Sequence, residues 1–361
     1  MLRDSYLSCC GREQVFTECY ATKIFGEFCL MVKERCMVMK KTRGIVTLLL
    51  IATMTLALVA CGGVAYGAET DFQIGIIQLV EHPALDAARE GFMAALRNEG
   101  IAAEFDYQNA QGDIPTLSTI AQRFVNNNVD LILAIATPSV QAMSAETYSI
   151  PIVGTAITSY VRAGVVYSNE APGFNVTGAS DRSPIEAQIR MMLEFMPDIQ
   201  TIGIAYSSNE ANSVYQAGTA RGIVEALGLT VVEGTVTTTG DIQQNILSLA
   251  SRVDAIWIPT DNTHANAMPI VGQVSIDTGV PVFASEEGMT MGGGVATLSV
   301  NYFELGYQSG QMAAQILRGE GEPATMPIQF PQRYNYIVNG FMVDELGLTV
   351  PEQYRDFIRQ P

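Results

Sequence analysis

The sequence predicts an α/β fold of two doubly wound halves in tandem, on three observations. Short apolar strand patterns alternate with helical ones, the alternation restarts after residues 175–180, and polar clusters recur just past the carboxyl ends of the strands. The stretch beyond Cys61 is long enough for two ordinary domains of ~100 to 200 residues each.

In the first half, Phe72 to Leu79 is an apolar β-run. A helix opens near Pro83, with Leu85, Ala88, Phe92 and Leu96 on one face. Ala102 to Tyr107 reads as the second strand, and Ile120, Ala121, Phe124 and Val125 stripe a second helix. Leu131 to Ala136 is a continuous apolar strand ending at Thr137-Pro138-Ser139, where proline suits a first helical turn because its missing N–H would be unpaired there anyway. Ile150 to Ile157 is the fourth strand. After the Asn175-Val-Thr-Gly-Ala-Ser180 segment, read as a turn, the pattern restarts with a helix from about Pro184 to Phe195. Strands at Thr201 to Tyr206, Thr230 to Val236, Ala255 to Ile258 and Val280 to Phe283 then alternate with helices at Ala211 to Leu227, Ile242 to Ser251 and from about Asn262.

Doubly wound sheets bind ligands at the carboxyl ends of their strands. The polar clusters there are Glu81-His82, Thr137-Pro138-Ser139, Thr158-Ser159, Ser207-Ser208-Asn209-Glu210, Thr260-Asp261-Asn262-Thr263 and Ser285-Glu286-Glu287. Several coincide with helix amino termini, whose free N–H groups and positive dipole end suit a carboxylate. Ser, Thr, Asp and Asn also cap helices regardless of function, so each cluster taken singly reads equally as a cap. Trp257, inside a strand, reads as packing, and His264 as a helix-surface residue.

Composition narrows the chemistry. All six cysteines lie at or before Cys61 and all four lysines at or before Lys41; His82 and His264 are the two histidines. Beyond Cys61 there is thus no nucleophilic cysteine, no Schiff-base lysine and no P-loop lysine. Twelve arginines face thirty-two acids there, an excess that repels nucleic acid and favours solubility. No cofactor motif is present: Gly292-Gly293-Gly294 lacks the spacing of a dinucleotide fingerprint, and no cysteine pair has zinc spacing.

Lys40-Lys41-Thr42-Arg43, the apolar run Gly44 to Ala60, and Leu58-Val59-Ala60-Cys61-Gly62 have the layout of a bacterial lipoprotein export signal. The apolar run falls short of the ~20 residues of a spanning helix. Residues 39–60 are expected to be removed and Cys61 to carry the lipid, with residues 61–70 as a tether. Cleavage after Gly67 and an uncleaved anchor are the alternatives. Residues 1–38 are expected to be a non-native or disordered extension, with the start at Met37 or Met39.

Several stretches together resemble a known family. They are Glu81-His82-Pro83-Ala84-Leu85-Asp86 with Gly91-Phe92, Ala136-Thr137-Pro138, Asn175-Val-Thr-Gly178, Glu210-Ala-Asn212-Ser213, Pro259-Thr-Asp261-Asn262-Thr263, and Glu304-Leu-Gly306 through Gly319. The chain is similar, over about Phe72 to Pro351, to substrate-binding components of ABC transporters of the tryptophan/tyrosine type, with the type I periplasmic-binding-protein fold. The resemblance implies two lobes joined by a multi-strand hinge: residues 71–181 with 292–325, and 182–291 with 326–361. It implies a monomer, anchored outside the cytoplasm, that closes over a small zwitterion, often an aromatic amino acid, and serves an ABC permease and its ATPase. Thr137 and neighbouring amides would hold the carboxylate, Asp261 with Asn262 would face the amine, and Asn212 and Ser213 would serve from the second lobe. His82, Ser139, Thr158, Ser180, Ser208, Ser285 and Glu286 complete the expected site. Ser159-Tyr160 departs from the Asp-Pro expected after the fourth strand. The rival readings are a secreted carboxylate-dependent hydrolase using Glu286, Glu287 or Asp261, and a sensory ligand-binding receptor domain.

Overall fold

Phe72–Gln78 (β1), Pro83–Asn98 (α1), Ala103–Asn109 (β2), Ile114–Asn126 (α2), Leu131–Ile135 (β3), Thr137–Glu146 (α3), Ile152–Thr155 (β4), Tyr160–Ala163 (α4) and Val176–Gly178 (β5) form the first lobe of the computed structural model, which describes residues 72–360. Its sheet is parallel throughout, in the order β2-β1-β3-β4-β5. Strand β3, covered by helices on both faces, is buried at every residue, which is why its sequence is an unbroken apolar run. Each of its Leu and Ile side chains contributes about 1.5–3 kcal/mol by burial. Helix α1 turns Leu85, Ala88, Phe92 and Leu96 inward, the stripe expected from their spacing.

The second lobe repeats the scheme. Ile185–Phe195 (α5), Thr201–Ser207 (β6), Ala211–Ala226 (α6), Thr230–Val236 (β7), Ile242–Ala250 (α7), Ala255–Ile258 (β8), Asn262–Ala265 (α8), Met268–Thr278 (α9), Val282–Ala284 (β9) and Glu287–Gly293 (α10) surround a parallel sheet ordered β7-β6-β8-β9. The single helix expected from Asn262 is two helices, broken at Asn266 and Ala267. Trp257 is fully buried in the core of this lobe, as its place in a strand suggested.

Ala296–Ser299 (β10), Tyr302–Leu317 (α11), Asn335–Asn339 (β11), Gly340–Glu345 (α12) and Ile358–Arg359 (β12) follow. The short sheet β10-β11-β12 pairs β10 with β11 antiparallel. Helix α11 returns to the first lobe and crosses α1 at backbone contact. A Cβ on Gly306 would lie 1.8 Å from the Ala88 carbonyl oxygen, and one on Gly91 2.1 Å from that of Phe303. Glycine at these two motif positions is therefore a packing requirement, since any side chain would force the helices apart.

The cores locate where the chain passes between lobes. Ala179 packs in the first core and Ile185 in the second. Val295 and Ala296 pack in the second core and Val300 in the first, so the return crossing falls after β10, later than the expected residue 292. The cause is pairing: the Val295 N–H donates to the Val282 carbonyl at 2.7 Å, and β10 is held by β11. Residues after 325 also begin in the first lobe, contrary to the expected change at 326. Thr177 Oγ1 donates to the Met326 carbonyl at 2.8 Å, the Gln329 N–H to that of Gly178 at 2.9 Å, and Ile328 packs in the first core.

Asn175-Val-Thr177 is not a turn but the entry to β5, where the Asn175 amide donates to the carbonyls of Thr147 and Ile150. Tyr160, half of the Ser159-Tyr160 departure, is fully buried, and its hydroxyl donates to the Ala179 carbonyl at 3.1 Å. That bond ties the end of the first sheet to the outgoing crossing.

Candidate ligand-binding site

A small cavity of about 20 Å3 lies where the two sheets' carboxyl ends face each other. From the first-lobe side it is walled by His82, Leu85, Ala156, Asp181 and Tyr302. The second lobe contributes Asn212, Thr260, Asp261, Asn262, Glu286 and Met289, with Ala265. Two polar contacts cross between the lobes beside it. His82 Nε2 lies 3.2 Å from Asn262 Oδ1, and the Thr158 and Thr260 hydroxyls are 3.4 Å apart, with Gln216 Nε2 donating to Thr260 at 2.6 Å and to Thr158 at 3.3 Å.

The motifs of the second lobe prove to be one hydrogen-bonded unit. Glu210, at the start of α6, accepts from the Asn262 N–H and side-chain amide at 3.2 and 2.5 Å, and from the Thr263 N–H and hydroxyl at 2.9 and 2.8 Å. Asn212 donates to the Thr260 carbonyl at 2.9 Å. Asp261 accepts from the Ser207 N–H at 2.6 Å through one oxygen, and through the other from the His264 N–H and Nδ1–H, both at 2.8 Å. The Glu-Ala-Asn and Thr-Asp-Asn-Thr stretches, far apart in sequence, thus hold each other at the cleft.

His264 is fully buried against Asp261, not on a helix surface as its position suggested. Burial opposes the charge of Asp261, but the neighbouring His264 and the hydrogen bonds from His264 and Ser207 keep its carboxyl below the usual carboxylate range. Glu210 is driven the other way, upward, by burial and by the charge of Asp261, with Asn262 and Thr263 opposing. Glu286 caps α10, accepting from the N–H groups of Gly288 at 2.6 Å and Met289 at 2.5 Å; burial still pushes its carboxyl up to about 7. Burial lowers His82, so its ring enters the cleft in the neutral form, with Nδ1 lacking a partner among the described residues.

Of the residues expected from sequence, His82, Asn212, Asp261, Asn262 and Glu286 line the cavity. Thr137 and Ser139 are not among the lining residues; they lie in the first turn of α3, buried and with hydroxyls that have no partner among the described residues. Thr158 serves the bridge between lobes. Four others are directed elsewhere. Ser180 donates to the Thr158 carbonyl; exposed Ser208 donates to the Val236 carbonyl; Ser213 accepts from Asn212; Ser285 donates to the Ile258 carbonyl and to Gln188. Ser180, Ser208 and Ser285 sit near strand ends but donate to main chain, and Ser213 lies within α6. Cys61 and the export signal fall outside the described residues, among which no helix is long and apolar enough to cross a membrane.

Sequence reasoning placed Glu210 in a strand-end cluster without giving it a role, and missed Asp181, Tyr302 and Gln216. Asp181 is buried, and one of its oxygens accepts from the Tyr302 hydroxyl at 3.0 Å. An acid directly after a small-residue strand, in a segment joining two halves, was the available signal; a lone Gln within a helix offers none. Two alanines at the ends of neighbouring strands also have left-handed backbones, Ala136 at φ 78° and Ala156 at φ 56°. Strain of this kind costs about 1–3 kcal/mol per residue and gathers at ligand clamps.

Comparison with known proteins places this geometry. A family model described as "ABC transporter substrate binding protein" matches residues 73–356. A "Tyrosine-binding protein" from Clostridioides difficile is 41% identical over 251 residues, 68% of this chain and 73% of that protein. A crystal structure from Streptococcus pneumonia, described as an ABC domain in complex with L-Trp, is 34% identical with a TM-score of 0.77, covering 80% of this chain and 99% of that one. The ligand-free, open structure of a substrate-binding protein with adhesive properties from Clostridium difficile is 39% identical over the same shares, with a TM-score of 0.63. The fold is that of type I periplasmic binding proteins, and the chain belongs to the ABC transporter substrate-binding family, a binding protein and not the hydrolase that its cleft carboxylates alone would have allowed.

Proposed function

We propose that this protein captures a free α-amino acid, most suitably an aromatic one, by closing its lobes over it, and hands it to an ABC permease driven by its ATPase. The observation that carries the reading is the cavity walled by both lobes and bridged by His82–Asn262 and Thr158–Thr260. At about 20 Å3 it is far below the ~300 Å3 and upward of small-molecule sites, so an amino acid would enter with the lobes parted and the walls would re-form around it. Likeness supports closure: the chain matches the L-Trp complex better than the ligand-free open structure, although the latter is nearer in sequence. Closing a two-lobe protein about its connecting strands is hinge motion, and the crossings near residues 179–185, 296–300 and 330–336 are its natural pivots. The export-signal pattern ending at Cys61 supports an extracytoplasmic, lipid-anchored working form, from which Cys61→Ser should release the protein into the soluble fraction.

Titration calorimetry against the twenty amino acids tests the reading. L-Tyrosine, L-tryptophan or L-phenylalanine should bind, and scattering should show a smaller radius of gyration on saturation. A protein that bound none of the twenty, or bound one without compaction, would overturn it.

A further inference from the structure

Among the buried carboxylates at the cleft, hydrogen-bond partners single out one. Both oxygens of Asp261, Glu210 and Glu286 accept from donors of their own lobe. Asp181 does not follow them. Its Oδ2 accepts from Tyr302, while its Oδ1 is buried without a hydrogen-bond partner among the described residues. The residue is 4% exposed and lines the cavity. No arginine is among the residues lining that cavity, and no lysine is among the described residues, so none of these supplies a cation there. An unpaired buried carboxylate is costly, and a positively charged group entering the cavity would remove that cost.

We infer that Asp181 Oδ1 receives the α-ammonium of the ligand, the role expected from sequence for Asp261. The inference rests on the reading above that the ligand is an amino acid, and adds the residue that recognises its charge. It also gives the site a link to closure. Asp181 lies on the outgoing crossing between Ala179 and Ile185, and Tyr302 directly follows the return crossing after β10. Their hydrogen bond joins the two connections, so an ammonium docked on Asp181 sits on the hinge. Burial pushes the Asp181 carboxyl upward, opposed first by the hydroxyl of Tyr302; a bound ammonium would draw it back down.

The experiment compares each amino acid with its deaminated analogue by calorimetry: L-tyrosine against 3-(4-hydroxyphenyl)propionate, and L-tryptophan against indole-3-propionate. The parent should prefer the amino acid by about a hundredfold or more, the scale of a buried charge pair. Asp181→Asn should collapse that preference to a few-fold by weakening the amino acid alone. Tyr302→Phe should reduce it several-fold, and serves if the first variant does not fold. A folded Asp181→Asn protein that kept the parent's preference would overturn the assignment while leaving amino-acid binding intact; so would an undiminished preference in Tyr302→Phe where Asp181→Asn cannot be prepared. A parent that bound no amino acid would remove the assignment together with the reading beneath it.

Discussion

The two lobes treat the buried polar groups around the cleft differently. In the second lobe Glu210, Asn212, Asp261 and Asn262 bond to one another, to Thr263, His264 and to main chain, so their geometry is set before any ligand arrives. In the first lobe Thr137, Ser139 and Thr155 are buried with no side-chain partner among the described residues, and the adjoining Ala136 and Ala156 have left-handed backbones. The first lobe is the more poised of the two, although the second also leaves Asn212 Oδ1, Ser207 Oγ and His264 Nε2 without partners among the described residues. Motif residues of equal prominence in the sequence therefore do different work: those of the second lobe build the wall, and those of the first have hydrogen-bonding capacity to offer a ligand.

The sharpest way to break this contrast is Asp261→Ala. Removing the carboxylate leaves His264, fully buried, and the Ser207 N–H without their acceptor, and breaking a buried charged network of this kind costs about 3–5 kcal/mol. The expected outcome is a large fall in the denaturation midpoint, with whatever protein remains folded keeping its preference for amino acids over deaminated analogues. If instead the melting curve were unmoved and that preference vanished, the second lobe would be the poised one.

Glu286 tests the same contrast through pH. Like Glu210, it is a second-lobe carboxylate whose N–H donors do not offset its burial, with the charges of Glu287 and Asp181 adding to the upward shift. A carboxyl raised from 4.5 to about 7 favours the folded state while protonated. That contribution is fully present below the unfolded value and is lost as pH rises through about 7, by about 3 kcal/mol in all. Ligand-free protein should thus melt at lower temperature at pH 8 than at pH 5.5, and Glu286→Gln should flatten that slope. Parallel pH profiles for parent and variant would show that Glu286 is ionised and well solvated throughout.

What was legible in the sequence follows from how local each signal is. Strands such as Leu131–Ile135 and Ala255–Ile258 are buried on both faces, so their apolar runs reveal them directly. The crossings were harder, because Ala296–Ser299 belongs to the second lobe through pairing with residues 335–338, a long-range register that no local pattern carries. The cleft was half legible. Strand-end polar clusters led to His82, Asp261, Asn262 and Glu286, and the family resemblance to Asn212, but a hydroxyl at a strand end turns to main chain as readily as to a ligand, as Ser180, Ser208 and Ser285 do. His264 looked exposed because its partner, Asp261, had been assigned to the ligand. The acid that lacked a partner, Asp181, stood in the connection between lobes, where strand-end reasoning does not look.

The smallest of the expected effects sharpens the other side of the comparison. Thr137 is buried at the amino end of α3, and its hydroxyl has no partner among the described residues. Burying a hydroxyl without a hydrogen bond costs about 1–3 kcal/mol, so Thr137→Val, of nearly the same shape, should leave ligand-free stability unchanged or raise it slightly. Affinity should move the other way. If the hydroxyl donates to the ligand's carboxylate, its loss removes a hydrogen bond to a charged group, about 1.5–3 kcal/mol, or roughly ten- to a hundredfold in Kd. The loss should fall equally on an amino acid and its deaminated analogue, because both carry the carboxylate; a change at Asp181 separates them. Calorimetry with L-tyrosine and 3-(4-hydroxyphenyl)propionate, beside a melting curve without ligand, checks both halves. A Thr137→Val protein that lost stability but kept its affinity would mean that the first lobe, too, uses its motif residues to hold itself together.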